Sequence, residues 1–359
     1  MSKTMILIIA GAIIGALALA LSSYGNPPNM GVCVACFMRD IAGGMKLHTA
    51  APVQYMRPEI FGFVLGAFAA ALLAREFKPS AGSAPFLRFS LGFFMMVGCL
   101  VFLGCPLRMV LRIAGGDLNA VVGLAGFITG IVIGVVFLKK NFALTTNKPQ
   151  LKNEGALFPI ICAAILLLML VQSGLFSASE KGPGSQHAPM ILSLIAGLAI
   201  GAIVQRTRLC FIGMISHIFL FRRFAMLFGV IALTAVVFIG NLWLDKFNLG
   251  FANQPIAHSD GVWNFLSLML VGLCGAFISG CPLRQLVQAG QGNADAAMTA
   301  LGLLLGAAFA HNFSLASSAA GPTTGGKIVV IVGLIFALAI GVLYTSASTK
   351  GGTTQASIP

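Results

Sequence analysis

The sequence predicts an all-α polytopic membrane protein of about ten spans with short re-entrant helices, built as two inverted repeats around a central constriction. Three observations carry this expectation. First, the 359 residues are 58% hydrophobic and only 9% charged, whereas a soluble domain carries about 25% charged residues and has no means of hiding so much apolar surface. Second, the apolar residues fall into stretches of about 20, the length that crosses a hydrocarbon core. Third, the run Gly104-Cys105-Pro106-Leu107-Arg108 recurs as Gly280-Cys281-Pro282-Leu283-Arg284, 176 residues later.

Spans are expected near 5–23, 58–75, 86–104, 119–138, 157–173, 189–205, 224–243, 262–280, 296–312 and 327–345. The first follows Lys3 and ends near Ala18-Leu19-Ala20. That layout also fits a cleaved signal peptide, but the internal repeat uses this segment, so a retained helix is expected. Segments 31–48, 105–118, 206–221 and 281–294 are too short to cross and too apolar for ordinary loops, which marks them as re-entrant. The polar connection from Asn141 to Gly155 reads as a hinge. The organisation is then 1–142, first repeat; 143–188, linker with a connecting helix; 189–316, second and inverted repeat; 317–359, C-terminal helix and tail.

A formal charge of +13 raises the question of nucleic acid, yet a nucleic-acid binder gathers its cations on one face. Here they punctuate the ends of apolar runs. With the amino terminus inside, Arg75, Lys78, Arg88, Lys139, Lys140, Lys148, Lys152, Arg206, Arg208, Arg222 and Arg223 all fall on the inner side, as the positive-inside rule requires. Both termini are thus expected in the cytoplasm, with lipid and not nucleic acid as the surrounding partner. The 43 glycines and 15 prolines suit helices that pack through small residues and tolerate breaks.

The repeat extends beyond the five-residue run. At the same offset Gly116 matches Gly292, Ala120 matches Ala296, Gly126 matches Gly302 and Gly130 matches Gly306, while Asp117 and Asn119 face Asn293 and Asp295. A weaker correspondence joins Cys36-Phe37 to Cys210-Phe211. Four spans in each half with a fifth between them bring the second half into the membrane upside down. Inverted repeats of this kind are a transporter architecture with the substrate site at their interface.

In the duplicated run, Gly104 and Gly280 permit a break and close backbone approach, and Pro106 and Pro282 suit the first turn of a new helix. Cys105 and Cys281 then sit at helix starts, where unpaired amides and the positive dipole end welcome an anion. Arg108 and Arg284 follow three residues later on the same helical face. Buried cations in a membrane point to function, the alternative being that both arginines snorkel to the interface. Cys36, Cys105, Cys210 and Cys281 all lie at breaks and are candidates to line a path, whereas Cys99, Cys162 and Cys274 read as packing residues. Thiols offer weak S–H donors, and a soft lining suits a soft substrate.

Cys33-Val34-Ala35-Cys36 is compatible with a redox disulfide, half a metal site or two path thiols. With only His48 nearby, a zinc site lacks its fourth ligand. His187, His217, His258 and His311 show no ligating pattern. No phosphate loop, paired catalytic carboxylates or nucleophile elbow is present, so the expectation is a non-enzyme with no catalytic residue, cofactor or metal.

The two Gly-Cys-Pro-Leu-Arg segments, the segments around Cys36 and Cys210 and the glycine-rich spans after them resemble the YeeE/YedE family of bacterial inner-membrane sulfur-transport proteins, over the chain up to about Tyr344. The resemblance implies inverted halves whose central loops plunge toward each other, with cysteines that contact thiosulfate on its way into the cytoplasm. It carries the path role to Cys105 and Cys281 and then to Cys36 and Cys210. The segment from Asn26 to Asp40, with Gln54-Tyr55-Met56-Arg57-Pro58-Glu59, resembles the selenium-linked YedE branch, and Cys33 adds to a single-cysteine pattern. A cytoplasmic sulfur-carrier partner of the TusA-like kind is also implied. The expected function is import of a small selenium- or sulfur-containing species, a thiosulfate-like anion or its selenium analogue. The alternatives are a membrane thiol/disulfide oxidoreductase, motivated by Cys33 and Cys36, and a channel for another small solute.

Overall fold

Among the described residues, ten helical segments are long and apolar enough to cross a membrane. The computed structural model describes residues 2–82, 84–144 and 148–350. In it the long helices are α1 (Lys3–Ser23), α3 (Pro58–Leu73), α4 (Pro85–Phe102), α6 (Leu118–Lys139), α7 (Lys152–Val171), α8 (Met190–Thr207), α10 (Ala225–Trp243), α11 (Gly261–Phe277), α13 (Ala294–Asn312) and α14 (Thr324–Lys350). Four short helices occupy the expected re-entrant segments: α2 (Val34–Gly44), α5 (Pro106–Ala114), α9 (Phe211–Phe221) and α12 (Pro282–Gly290). The protein is therefore an all-α polytopic membrane protein.

Two ends differ from the sequence expectation. α7 begins at Lys152, because the polar turn Lys152-Asn153-Glu154 extends the helix beyond its apolar run, and Pro159 is accommodated inside it. α14 continues to Lys350. Residues 145–147 of the expected hinge and residues 351–359 of the tail lie outside the described residues.

Small residues set the packing. A side chain at Gly11 would collide with Gly229 O, and one at Gly15 would come within 2.8 Å of Leu233 O, so α1 runs beside α10 in ascending register. Gly66 meets Leu198 and Gly201 meets Phe63 between α3 and α8; Gly302 meets Phe89 and Gly306 meets Phe93 between α13 and α4; Gly126 meets Phe265 and Gly130 meets Met269 between α6 and α11. Without a hydrophobic drive between helices in lipid, such close backbone contact is what binds them. Each long helix of the first half thus lies parallel to a long helix of the second, and the exchange is reciprocal. α1 and α8 hold the same place in their halves, as do α3 and α10, and α1 packs on α10 as α8 packs on α3.

Directions follow from a buried carboxylate. Asn26, just past α1, donates from Nδ2 to Glu59 Oε1 at 2.9 Å, and Ser193 Oγ donates to the same oxygen at 2.9 Å. Glu59 opens α3 and Ser193 opens α8. α1 therefore ends where α3 and α8 begin, and α8 runs opposite to its counterpart α1. This end is called upper below.

The corners after α5 and α12 repeat the logic. Gly116 (φ 92°) and Gly292 (φ 89°) hold the left-handed conformation that favours glycine. Asp117 caps α6 by accepting from Asn119 N at 2.9 Å, and Asn293 caps α13 by accepting from Ala296 N at 2.8 Å. Asn119 Nδ2 donates to Phe251 O at 2.8 Å, whereas Asp295 Oδ1 accepts from Gly82 N at 3.0 Å. The Asp/Asn exchange in the repeat keeps both caps and swaps donor for acceptor toward the connector of the opposite half.

Gly130→Val should lower stability by about 2 kcal/mol or more, the upper range of overpacking, because the new side chain meets backbone and not a movable side chain. Gly261→Ala, whose nearest neighbour is Val122 Cγ1 at 3.9 Å, should change little. Unfolding midpoints of the purified protein in detergent compare the two.

Candidate functional site

The duplicated run breaks the chain the same way twice. α4 ends at Phe102 and Leu103 takes φ 63°; α11 ends at Phe277 and Ser279 takes φ 59°. The left-handed residue thus precedes each glycine. Gly104 and Gly280 serve close approach instead: a Cβ at Gly104 would lie 2.9 Å from Arg108 Cδ, and one at Gly280 would lie 3.1 Å from Arg284 Cγ. The arginine stems fold back over the breaks. Cys105 and Cys281 are then the N-cap residues of α5 and α12, with Pro106 and Pro282 in the first turn.

Each cap meets a second cysteine cap. Cys33 caps α2 and accepts from Cys36 N at 3.4 Å, and its Sγ lies 3.9 Å from Cys105 Sγ. Cys210 caps α9 and accepts from Gly213 N at 3.4 Å, and its Sγ lies 4.0 Å from Cys281 Sγ. The first pair sits toward the upper end, beside Asn29 and the Pro255-Ile256 connector. The second sits toward the lower end, beside the end of α8. The sulfur contacts of Cys105 and Cys281 thus run to a cysteine of their own half. All eight cysteines are free thiols and all are buried.

This geometry corrects the weaker repeat correspondence. By position and contact Cys33, not Cys36, is the counterpart of Cys210. The shared Cys-Phe dipeptide shifts the sequence match by three residues, away from the capping position that the fold repeats. Cys36 is the added thiol, and its Sγ lies 3.6 Å from Arg108 Nη1.

The arginines are not at the interface. Arg108 is fully buried; it donates from Nη1 to Leu103 O, from Nε to Asn29 O at 3.3 Å and from Nη2 to Ile256 O at 3.1 Å and Pro255 O at 3.4 Å. Among the described residues no carboxylate pairs with it. Arg284 is 9% exposed and donates to Val204 O at 3.4 Å, again without a carboxylate. Two buried cations without counter-charge, each beside a sulfur pair and a helix N-terminus, form an arrangement that can attract and desolvate a small soft anion.

Other buried charges are neutralised by partners. Asp40 accepts from Arg39 Nη2 at 2.7 Å and from Arg57 Nε at 2.8 Å. Arg57 also donates to Pro183 O at 2.9 Å and lies 4.6 Å over the Phe37 ring. His48 Nε2 meets Arg39 O at 3.0 Å, and its ring packs 4.7 Å from that of His311 in α13. Together these contacts clamp α2 to α3, to the loop before α8 and to the end of α13. The signal in the sequence was an adjacent Arg39-Asp40 pair inside an otherwise apolar segment, where lone charges are expensive. α9 has no such clamp: among the described residues, no side chain from Phe211 to Phe221 makes a hydrogen bond. Arg112 and Asp117 form a further buried pair, at 2.6 Å, between α5 and α6. Among the described residues no cluster of three or more His, Cys, Asp or Glu side chains has the geometry to hold a metal ion.

Compared with known families, residues 206–352 match the family model described as sulphur transport. This stretch runs from the end of α8 through α14 and contains Cys210, Cys281 and Arg284. No curated protein matches the chain.

Proposed function

We propose that this chain, whose residues 206–352 match the sulphur-transport family model, is a multi-pass transporter of the YeeE/YedE kind that imports a small sulfur- or selenium-containing anion, thiosulfate or a selenium analogue, along its cysteine pairs. The observation that supports this most is the inverted duplication of one device: two capping thiols about a sulfur contact apart, with an uncompensated arginine close by, once toward each end of the helix bundle.

In this reading the protein sits in the bacterial inner membrane with both termini in the cytoplasm, so the upper end faces outward. Residues 1–142 and 189–316 form the two halves of the transport unit, with 143–188 linking them and 317–359 flanking them. The anion is drawn to Arg108 and meets Cys36, Cys33 and Cys105. It then passes to Cys281 and Cys210 beside Arg284. Thiols donate weakly to the anion and bind it without trapping it, as conduction requires. No covalent step is needed. Because every thiol is buried, passage needs a movement that opens each pair in turn. A TusA-like carrier would receive the chalcogen at the lower end.

Uptake into proteoliposomes tests the reading. Thiosulfate or selenite should enter well ahead of sulfate, whose oxygens offer no soft atom. Cys105→Ala and Cys281→Ala should each slow uptake about tenfold, the equivalent of one lost hydrogen bond to a charged group at the barrier. Wild-type rates from both variants would remove these thiols from the path.

A further inference from the structure

A cavity of ≈ 430 Å³ opens at the lower end, between the first turn of α1 and the junction of α9 with α10. Lys3, His217 and Arg223 line it together with Leu7, Phe224 and Phe228. The junction aims the second of two arginines inward. Arg222 ends α9 in the left-handed conformation (φ 52°), Arg223 N donates to His217 O at 3.2 Å, and the guanidinium of Arg223 rests 5.8 Å from the Phe221 ring centre. Among the described residues no carboxylate lines the cavity and none of the ion pairs includes Lys3, Arg222 or Arg223. The pocket has positive charge and, among the described residues, no counter-charge.

We infer that this cavity binds the headgroup of an anionic phospholipid. Three observations select a lipid over a free anion. Half of the wall is apolar. Met5 and Ile6 on the first turns of α1, and Phe219 and Phe221 at the end of the short α9, are exposed on the surface, so acyl chains have a surface to lie on. Lys3 begins a span and Arg223 follows the end of a short helix at the same end of the bundle, the level at which basic residues meet phosphates. A zwitterionic headgroup would bring its own cation against Lys3 and Arg223, which favours phosphatidylglycerol or cardiolipin over phosphatidylcholine. The occupant would also brace α9, the cysteine-capped helix that lacks the side-chain clamp holding α2.

Native mass spectrometry of the purified full-length protein, in micelles mixed with phosphatidylglycerol or phosphatidylcholine, tests the site without reference to transport. The wild type should retain phosphatidylglycerol preferentially. Lys3→Gln with Arg223→Gln should lose about fivefold in that preference per cation removed, while its unfolding midpoint in phosphatidylcholine micelles stays unchanged. Should the double variant fail to fold, Arg223→Gln alone, at an exposed turn, should show the single fivefold loss. Arg222→Gln, outside the cavity, should behave as wild type. Equal retention by the cavity variants, an equal loss in Arg222→Gln, or displacement of the lipid by millimolar inorganic phosphate would each overturn the proposal.

Discussion

Asp40→Asn should destabilise the protein by about 3–5 kcal/mol, the range for breaking a buried ion pair from one side. Asp40 is fully buried between Arg39 and Arg57, themselves 4% and 0% exposed, so losing its charge strands two cations where water does not reach. The residual amide oxygen still accepts a hydrogen bond, but it does not offset the second guanidinium. The damage should spread to α2 as a unit, since the same cluster ties that helix to α3 and α13. Removing Arg39 in the same chain, as Arg39→Gln with Asp40→Asn, should recover part of the loss, because one stranded charge is gone. Glu76→Gln is the contrast: its pair with Arg206 spans 3.0 Å, yet the side chains are 43% and 54% exposed, and exposed pairs contribute at most about 1 kcal/mol. Equilibrium unfolding in mixed micelles would rank the three. A loss from Asp40→Asn no larger than that from Glu76→Gln would mean that α2 is held by packing alone.

Much of this architecture was written in the sequence because the lipid restricts the choices. Apolar length fixed the ten spans, and the offset between two five-residue runs located both breaks, both capping cysteines and both folded-back arginines. The exchange of Asp117 and Asn119 for Asn293 and Asp295 foreshadowed two equivalent corners. What the sequence hid were contacts made through space. Cys33 reaches Cys105 across 72 positions and Cys210 reaches Cys281 across 71; no spacing rule applies at such separations, and the Cys-Phe dipeptide pointed to the wrong counterpart. Arg57 stands just before an apolar run, where a cation reads as a topology signal, whereas it and Glu59 are fully buried in a network that joins the two halves. A charge at the end of an apolar run signals either a headgroup contact or a buried partner, and the partner's distance along the chain decides whether it can be read.

Arg108→Gln should separate transport from stability. Arg39, Arg57 and Arg112 each face an aspartate, but Arg108 is equally buried and, among the described residues, its hydrogen-bond partners are carbonyl oxygens and the Cys36 sulfur. Such a cation is a burden on the empty protein, because carbonyl dipoles repay only part of its desolvation. The neutral amide relieves that cost while still donating to one or two of the carbonyls, so the unfolding midpoint should hold or rise. Transport should move the other way. A unit charge about 4 Å from an anion at an effective dielectric near 20 contributes about 4 kcal/mol; allowing for the retained helix dipole, uptake of a thiosulfate-like anion should fall on the order of 100-fold. Arg108→Lys should lie between, since it keeps the charge but loses the planar fork that reaches several carbonyls at once. Arg284→Gln should follow the same direction with a smaller change, its side chain being 9% exposed where that of Arg108 is fully buried. Measuring thiosulfate binding and uptake beside the unfolding midpoint in each variant distinguishes the two roles. A Gln variant that is less stable yet transports at the wild-type rate would make Arg108 a brace for the break at Leu103 and not a host for the anion.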